Sequence, residues 1–247
     1  ILEDNPGLGQ EEIERINPFD WEREFAEVFQ RGGFDVVIGN PPYVRHGLLT
    51  DLKDYLQLHY QTYRGIADIY VCFIEKGIAL LKREGVFSYI VANKWLRAKY
   101  GQPLRKWLKT QYIDEIIDFG DLPVFQGATT YPCIIRTYKR GPNEQVRVTQ
   151  VETLDFSNLQ NYVEENSYYI SQASLDDRGW SLADEKTQAL LDKLQLKNVT
   201  LGEFVNEKIY LGVLTGLDKA FIIDEAIQRQ LINEDPRSAE VIRPFLM

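Results

Sequence analysis

The chain has 247 residues, 44% of them hydrophobic and 26% charged, with a formal net charge of −9. That balance fits one large globular domain, or one domain plus a smaller piece, and excludes collagen-like, coiled-coil and mostly disordered chains. No apolar run approaches the ~20 residues a membrane span needs, and the first residues do not read as a signal peptide.

Asn17-Pro18 reads as an N-cap followed by proline at the first helical position. Trp21, Phe25, Val28 and Phe29 follow at helical spacing, and Gly32-Gly33 should stop that helix. Residues 34–39 (FDVVIG) form a short β-branched run, the pattern of a buried strand. Residues 66–83 carry a strong apolar stripe and predict an amphipathic helix ended by Gly85. Strands are predicted at 86–91 and 113–119, with a helix at 103–109 between them. Two more are predicted at 131–138 and 146–151.

Alternating strands and helices predict an α/β fold with a parallel sheet. The last two strands, close in sequence, are expected as an antiparallel pair at its edge. Beyond residue 180 the pattern changes. A helix is predicted at 183–194, then short strands at 201–204 and 209–213. The boundary is placed there, giving units 1–180 and 181–247.

The chemistry concentrates where the first strand ends, in Asn40-Pro41-Pro42-Tyr43. Open parallel sheets bind ligands at the carboxyl ends of their strands. Two prolines fix φ and remove N–H donors, which leaves carbonyls as acceptors. Asn40 adds a side-chain carbonyl. Two rigid acceptors side by side suit a planar group bearing an NH₂, and Tyr43 offers a face for a planar ring. The bland reading is a turn with a tyrosine packed nearby; the position after a buried strand favours the functional one.

This tetrapeptide and its strand resemble the catalytic motif of S-adenosylmethionine-dependent amino-group methyltransferases. More narrowly, the chain resembles the adenine-N6 DNA methyltransferases of TaqI type. The resemblance extends through residues 63–70 (YRGIADIY), 85–96 (GVFSYIVANKWL) and 124–132 (VFQGATTYP). It implies the C-terminal part of a Rossmann-like methyltransferase sheet, followed by the start of a second, α+β recognition domain. The implied substrate is an adenine flipped out of double-stranded DNA, and the implied cofactor is S-adenosylmethionine. Asn40 and the Pro41 carbonyl would accept from the amine, Tyr43 and Phe125 would stack on the base, and Pro42 would touch the cofactor.

The family's aromatic-x-Gly-x-Gly cofactor loop is missing from residues 1–39, as is its ribose-holding acid. The chain is therefore expected to be part of a longer enzyme and inactive in isolation. Residues 210–223 and 235–246 resemble the opening of the TaqI-type specificity domain. No nuclease motif is legible; a fused or partner nuclease would lie outside this chain.

The charge is unevenly spread: net −7 over residues 1–40, +6 over 41–140 and −8 over 141–247. A basic middle can steer a polyanion despite an acidic total. Residues 94–109 hold six basic side chains and no acid. Lys94, Arg97 and Lys99 follow a strand end and are candidate phosphate contacts; the later charges read as a solvated helix face. Two histidines and no Cys-x-x-Cys offer no metal site. Cys72 and Cys133, both in apolar segments, are expected as buried thiols, which suggests a reducing cytoplasm. Two other readings stay open: a protein-glutamine or RNA amino-methyltransferase, and a non-catalytic DNA-binding or assembly subunit with a relic pocket.

Overall fold

A computed structural model describes residues 19–43, 52–125, 130–197, 199, 201–206 and 222–243. Contacts divide the chain into two compact units, Ile1–Asp192 and Lys193–Met247.

The first unit is built on a six-stranded sheet: β1 (Phe34–Gly39), β2 (Leu81–Ala92), β3 (Tyr112–Asp118), β4 (Pro132–Tyr138), β5 (Gln145–Gln150) and β6 (Tyr168–Ser171). Their spatial order is β1-β2-β4-β3-β5-β6. β1 runs parallel to β2, and β3 parallel to β5. The α/β class is as the sequence predicts, but the expected antiparallel edge pair is not formed. β4 instead sits centrally, antiparallel to both β2 and β3, and β5 pairs with β3. Burial gives the reason: Cys133 and Ile135 on β4 are wholly buried, a pattern suited to an inner strand. β6 closes the sheet antiparallel to β5. Because β1, β2, β3 and β5 all run in one direction, their carboxyl ends share one edge of the sheet.

The predicted first helix is two short ones, α1 (Trp21–Glu24) and α2 (Ala26–Gln30), broken at Phe25, whose φ/ψ of −120°/41° is not helical. The expected cap Asn17 lies outside the described residues. Asp20 caps α1, its carboxylate accepting from the Glu22 and Arg23 N–H groups at 3.1 Å. Gly33 has φ +122°, and a Cβ there would lie 2.5 Å from the Leu80 carbonyl, so only glycine fits this entry to β1.

After α3 (Lys53–His59), α4 (Tyr70–Ala79) is shorter than the predicted 66–83 helix. Leu81 already pairs with Phe34, and Gly85 lies inside β2 rather than ending a helix. The register slips between Phe34/Leu81 and Val36/Val86, so residues 82–85 form a bulge. α4 buries Tyr70, Val71, Ile74 and Ile78 in the main core, whose sheet side includes Phe87, Val91, Ile116 and Ile135. The segment YRGIADIY belongs to this core: Tyr63 and Tyr70 are wholly buried. The Tyr70 and Tyr100 hydroxyls meet at 3.0 Å, and Tyr100 donates to Asp68 at 3.4 Å. A smaller cluster gathers Ile117, Phe119, Val151 and Val163, the last from α6 (Leu159–Asn166), which follows α5 (Gln102–Leu108) in chain order.

Cys72 and Cys133 are free and buried, as expected. Burial pushes the Cys72 thiol up to about 12 and raises that of Cys133 further.

α7 (Glu185–Lys197) runs across the division between the units. In the second unit, residues 201–204 form a helical turn, α8 (Leu201–Phe204), where a strand is predicted. Leu201 and Phe204, three residues apart as on one helix face, are both largely exposed. The predicted strand at 209–213 and most of the 210–223 block lie outside the described residues. α9 (Glu225–Glu234) is capped by Asp224, whose carboxylate accepts from the Ile227 N–H at 2.9 Å, and α10 (Ser238–Val241) follows. Among the described residues no helix is long and apolar enough to cross a membrane.

Candidate active site

Asn40 is the first residue past β1 and is exposed; Pro41 is buried, Pro42 exposed and Tyr43 half-buried. Among the described residues Asn40 makes no side-chain hydrogen bond, which leaves its carboxamide without a partner there at the carboxyl edge of the sheet. Tyr43 packs against the main core, and its hydroxyl donates to the Ile90 carbonyl near the end of β2, at 3.4 Å. Burial raises the pKa of that hydroxyl, which keeps it protonated and a donor.

Phe125 comes from the loop after β3, and its ring meets that of Tyr43. The centroids are 6.2 Å apart and the planes inclined by 57°. Two aromatic residues 82 positions apart are thus brought together from the ends of two different strands. The rings form a tilted pair.

Lys94, Arg97 and Lys99 are all exposed and pair with no carboxylate among the described residues. Lys94 and Arg97 line a cavity of about 580 Å³, shared with Asn93, Asp118, Asp121 and Tyr131 at the ends of β2, β3 and the start of β4. Lys99 is not part of that lining.

The basic run divides sharply. Arg105 is not on a solvated face: it is wholly buried. Its guanidinium donates to the carbonyls of Trp95, of Ala98 at 2.9 Å, of Asp177 at 3.0 and 2.9 Å, and of Arg178 at 3.1 Å. It ties the turn after β2 to the 177–178 segment, while Trp180 N–H donates to the Leu96 carbonyl at 2.8 Å. Arg105 thereby holds the backbone that presents Lys94 and Arg97. Nothing in its sequence neighbourhood separates it from Lys106, one position on and exposed.

Sequence reasoning also missed Asn93 and Asp118. The Asn93 carboxamide donates to Asp118 Oδ1 at 2.8 Å and to the Gly120 carbonyl at 3.1 Å, beneath the loop that carries Phe125. Asn93 does fall in the GVFSYIVANKWL segment, directly after a buried strand, where its polarity was a usable signal.

The class is an α/β sheet protein whose carboxyl edge carries Asn-Pro-Pro-Tyr, with Asn40 and Pro42 exposed and an aromatic partner for Tyr43 from the loop after β3. Residues 2–125, half of the chain, match the family model described as Eco57I restriction-modification methylase. The chain belongs to that family. It is 31% identical to the type II methyltransferase M.BstVI of Geobacillus stearothermophilus, over 92% of this chain and 42% of that protein. It is 29% identical to the type II restriction enzyme and methyltransferase RM.Eco57I of Escherichia coli, over 91% of this chain and 22% of that protein. The chain therefore spans less than half the length of either relative. Among solved structures it is similar to the type IIG restriction endonuclease BpuSI, with a TM-score of 0.48 and 18% identity, covering 66% of this chain and 22% of that one.

Proposed function

We propose that this chain supplies the base-binding side of a site-specific adenine-N6 DNA methyltransferase in a restriction–modification system, within a longer enzyme that uses S-adenosylmethionine. The observation that carries this reading is the free Asn40 carboxamide beside Pro41 and Pro42, with Tyr43 facing Phe125 across the strand ends. In this reading the TaqI-like type holds, residues 1–180 belong to the catalytic domain, and residues 181–247 open the specificity domain. The buried free thiols suit a reducing cytoplasm.

The chain's own residues act on the acceptor amine. The adenine leaves the duplex and enters between Tyr43 and Phe125, where stacking replaces what it lost. Its N6–H bonds donate to Asn40 Oδ1 and the Pro41 carbonyl. Those bonds hold the amine in one orientation and raise the electron density on nitrogen, so positioning and electrostatics lower the barrier. Lys94 and Arg97, and more peripherally Lys99, contact phosphates beside the flipped nucleotide.

The donor side does not fit these residues alone. Pro42 is the sole candidate contact to a cofactor. No Gly-x-Gly loop follows a described strand, and the buried carboxylate at a nearby strand end, Asp118, is engaged by Asn93 and Gly120. No step through the cofactor is assigned to this chain.

The test uses the intact enzyme and a duplex carrying 2-aminopurine at the methylated adenine, the site being mapped first by methylation-sensitive sequencing. Binding should brighten the probe as it leaves the stack. Tyr43→Ala and Phe125→Ala should each change the emission and weaken base capture by about 1–3 kcal/mol, while an aromatic replacement should be mild. Unchanged emission and rate in both alanine variants would refute the base slot.

A further inference from the structure

The ends of β2 and β3 are not neighbours, because β4 lies between them. Asn93 reaches across that strand. Its backbone N–H donates to the Tyr131 carbonyl at 2.7 Å, which fixes it to the start of β4. Its carboxamide then donates to Asp118 Oδ1 and to the Gly120 carbonyl on the β3 side. The same Asp118 oxygen accepts the Gly120 N–H at 3.0 Å.

Asp118 is only 6% exposed and forms no ion pair among the described residues. A buried carboxylate persists only where donors satisfy it, so its place depends on Asn93 and Gly120. Gly120 turns the chain with φ +57°. From there Leu122 N–H donates to the Phe119 carbonyl at 3.0 Å and Val124 N–H to the Leu122 carbonyl at 2.9 Å. Leu122 and Val124 pack on the small cluster around Ile117 and Phe119. The next residue is Phe125. The segment is held by hydrogen bonds at its start and by packing just before the ring.

We propose that Asn93 is a positioning residue for the base slot. Through Asp118 and Gly120 it sets where the Phe125 ring stands relative to Tyr43, although it touches neither ring. The inference rests on the base-slot reading above. It also explains why an amide is suited to this position: one group must donate twice, to a carboxylate and to a carbonyl, and asparagine carries two N–H bonds on one nitrogen.

A double-mutant cycle between Asn93→Ala and Phe125→Ala in the intact enzyme tests this, read by single-turnover methylation at saturating DNA and by 2-aminopurine emission. Asn93→Ala should slow transfer about tenfold and shift the emission, with DNA affinity within about threefold of wild type. In the Phe125→Ala background the same change should cost less than about twofold, because the ring it positions is gone. Asn93→Ser, too short to bridge β4, replaces the alanine variant if that folds poorly. Effects of Asn93→Ala that multiply fully with those of Phe125→Ala overturn the inference. So does a lowered melting temperature with unchanged rate and emission. If Phe125→Ala itself leaves rate and emission untouched, the base-slot reading fails and takes this inference with it. If Phe125→Ala has its effect and Asn93→Ala has none, the positioning role alone is wrong.

Discussion

Asn40 and Asn93 are the same side chain at the same kind of place, one residue past a strand on the carboxyl edge of the sheet, yet they do opposite things. Asn93 has its donors engaged: its N–H on Tyr131, its carboxamide NH₂ on Asp118 and Gly120. Asn40 is exposed and hydrogen-bonded to no other described side chain. The loops around them are stiffened differently. After β1 the rigidity is covalent, from two prolines that fix φ and take up no hydrogen bonds. After β3 it comes from hydrogen bonds and packing, which occupy the polar groups and leave only the Phe125 ring to offer. Covalent stiffness keeps acceptors available for a substrate; hydrogen-bonded stiffness does not. The basic run repeats the contrast, with Arg105 engaged by backbone carbonyls and Lys94 and Arg97 exposed and paired with no carboxylate among the described residues.

Free groups should therefore act on the substrate directly, and engaged groups through stability or positioning. The largest expected effect is at Arg105. Arg105→Ala removes a buried charge and strands the carbonyls of Trp95, Ala98, Asp177 and Arg178. The loss should be roughly 3–5 kcal/mol in denaturant unfolding of the intact protein. A loss below about 1 kcal/mol would mean water replaces the guanidinium and the contrast is overstated. Next is Asn40→Ala, which should lower single-turnover transfer about 10²–10³-fold with unchanged melting temperature and DNA affinity. Wild-type rates in that variant would remove Asn40 from the acceptor role.

Smaller effects are expected at the free cations. Lys94→Ala and Arg97→Ala should each weaken DNA binding uniformly across sequences, and each should reduce the slope of log affinity against log salt by about 1. Their stability should stay within about 0.5 kcal/mol of wild type. A selective loss at one sequence would reassign the residue from phosphate to base.

The smallest and slowest effect is at the thiols. Cys72 titrates at about 12 in the fold because burial disfavours its thiolate, against about 8.5 for an exposed cysteine. The folded value is the raised one. The buried thiol's contribution to stability is thus complete below about pH 8.5 and falls as pH rises toward the folded value, because only the unfolded chain ionises. Thiol labelling at pH 8 should be slow in native buffer and rapid in denaturant. Fast native labelling would show that the helix carrying Cys72 opens readily.

How much of this was legible follows the same division. β1 ends at Gly39 as its run of Phe34 to Gly39 indicates, but it is not the buried strand that run predicts: β1 is an edge strand with Val36 and Ile38 exposed, because β-branched residues mark a strand without fixing its place in the sheet. The pairing of Tyr43 with Phe125 was legible only through resemblance, since no local pattern links residues 82 positions apart. The start of β2 was misread because Leu80 and Leu81 continue the apolar stripe of α4, and the bulge at 82–85 hides the change of period. The central place of β4 was missed because sequence proximity says nothing about insertion between two parallel strands. Arg105 and Asn93 were unreadable as engaged groups: a charge or an amide looks the same whether water or backbone satisfies it. The free groups were legible because proline is visible in a sequence and tertiary hydrogen bonding is not.

The central claim is that the Asn40 carboxamide and Pro41 carbonyl orient the amine of a flipped adenine. The most direct measurement supplies labelled methyl donor and DNA to the intact enzyme, digests the product to nucleosides and identifies the labelled species by mass spectrometry, with Asn40→Ala in parallel. The expected result is label in N6-methyladenine alone, nearly absent from the variant. Label in a methylated cytosine, in protein or RNA rather than DNA, or in N6-methyladenine at the same level in Asn40→Ala would contradict it.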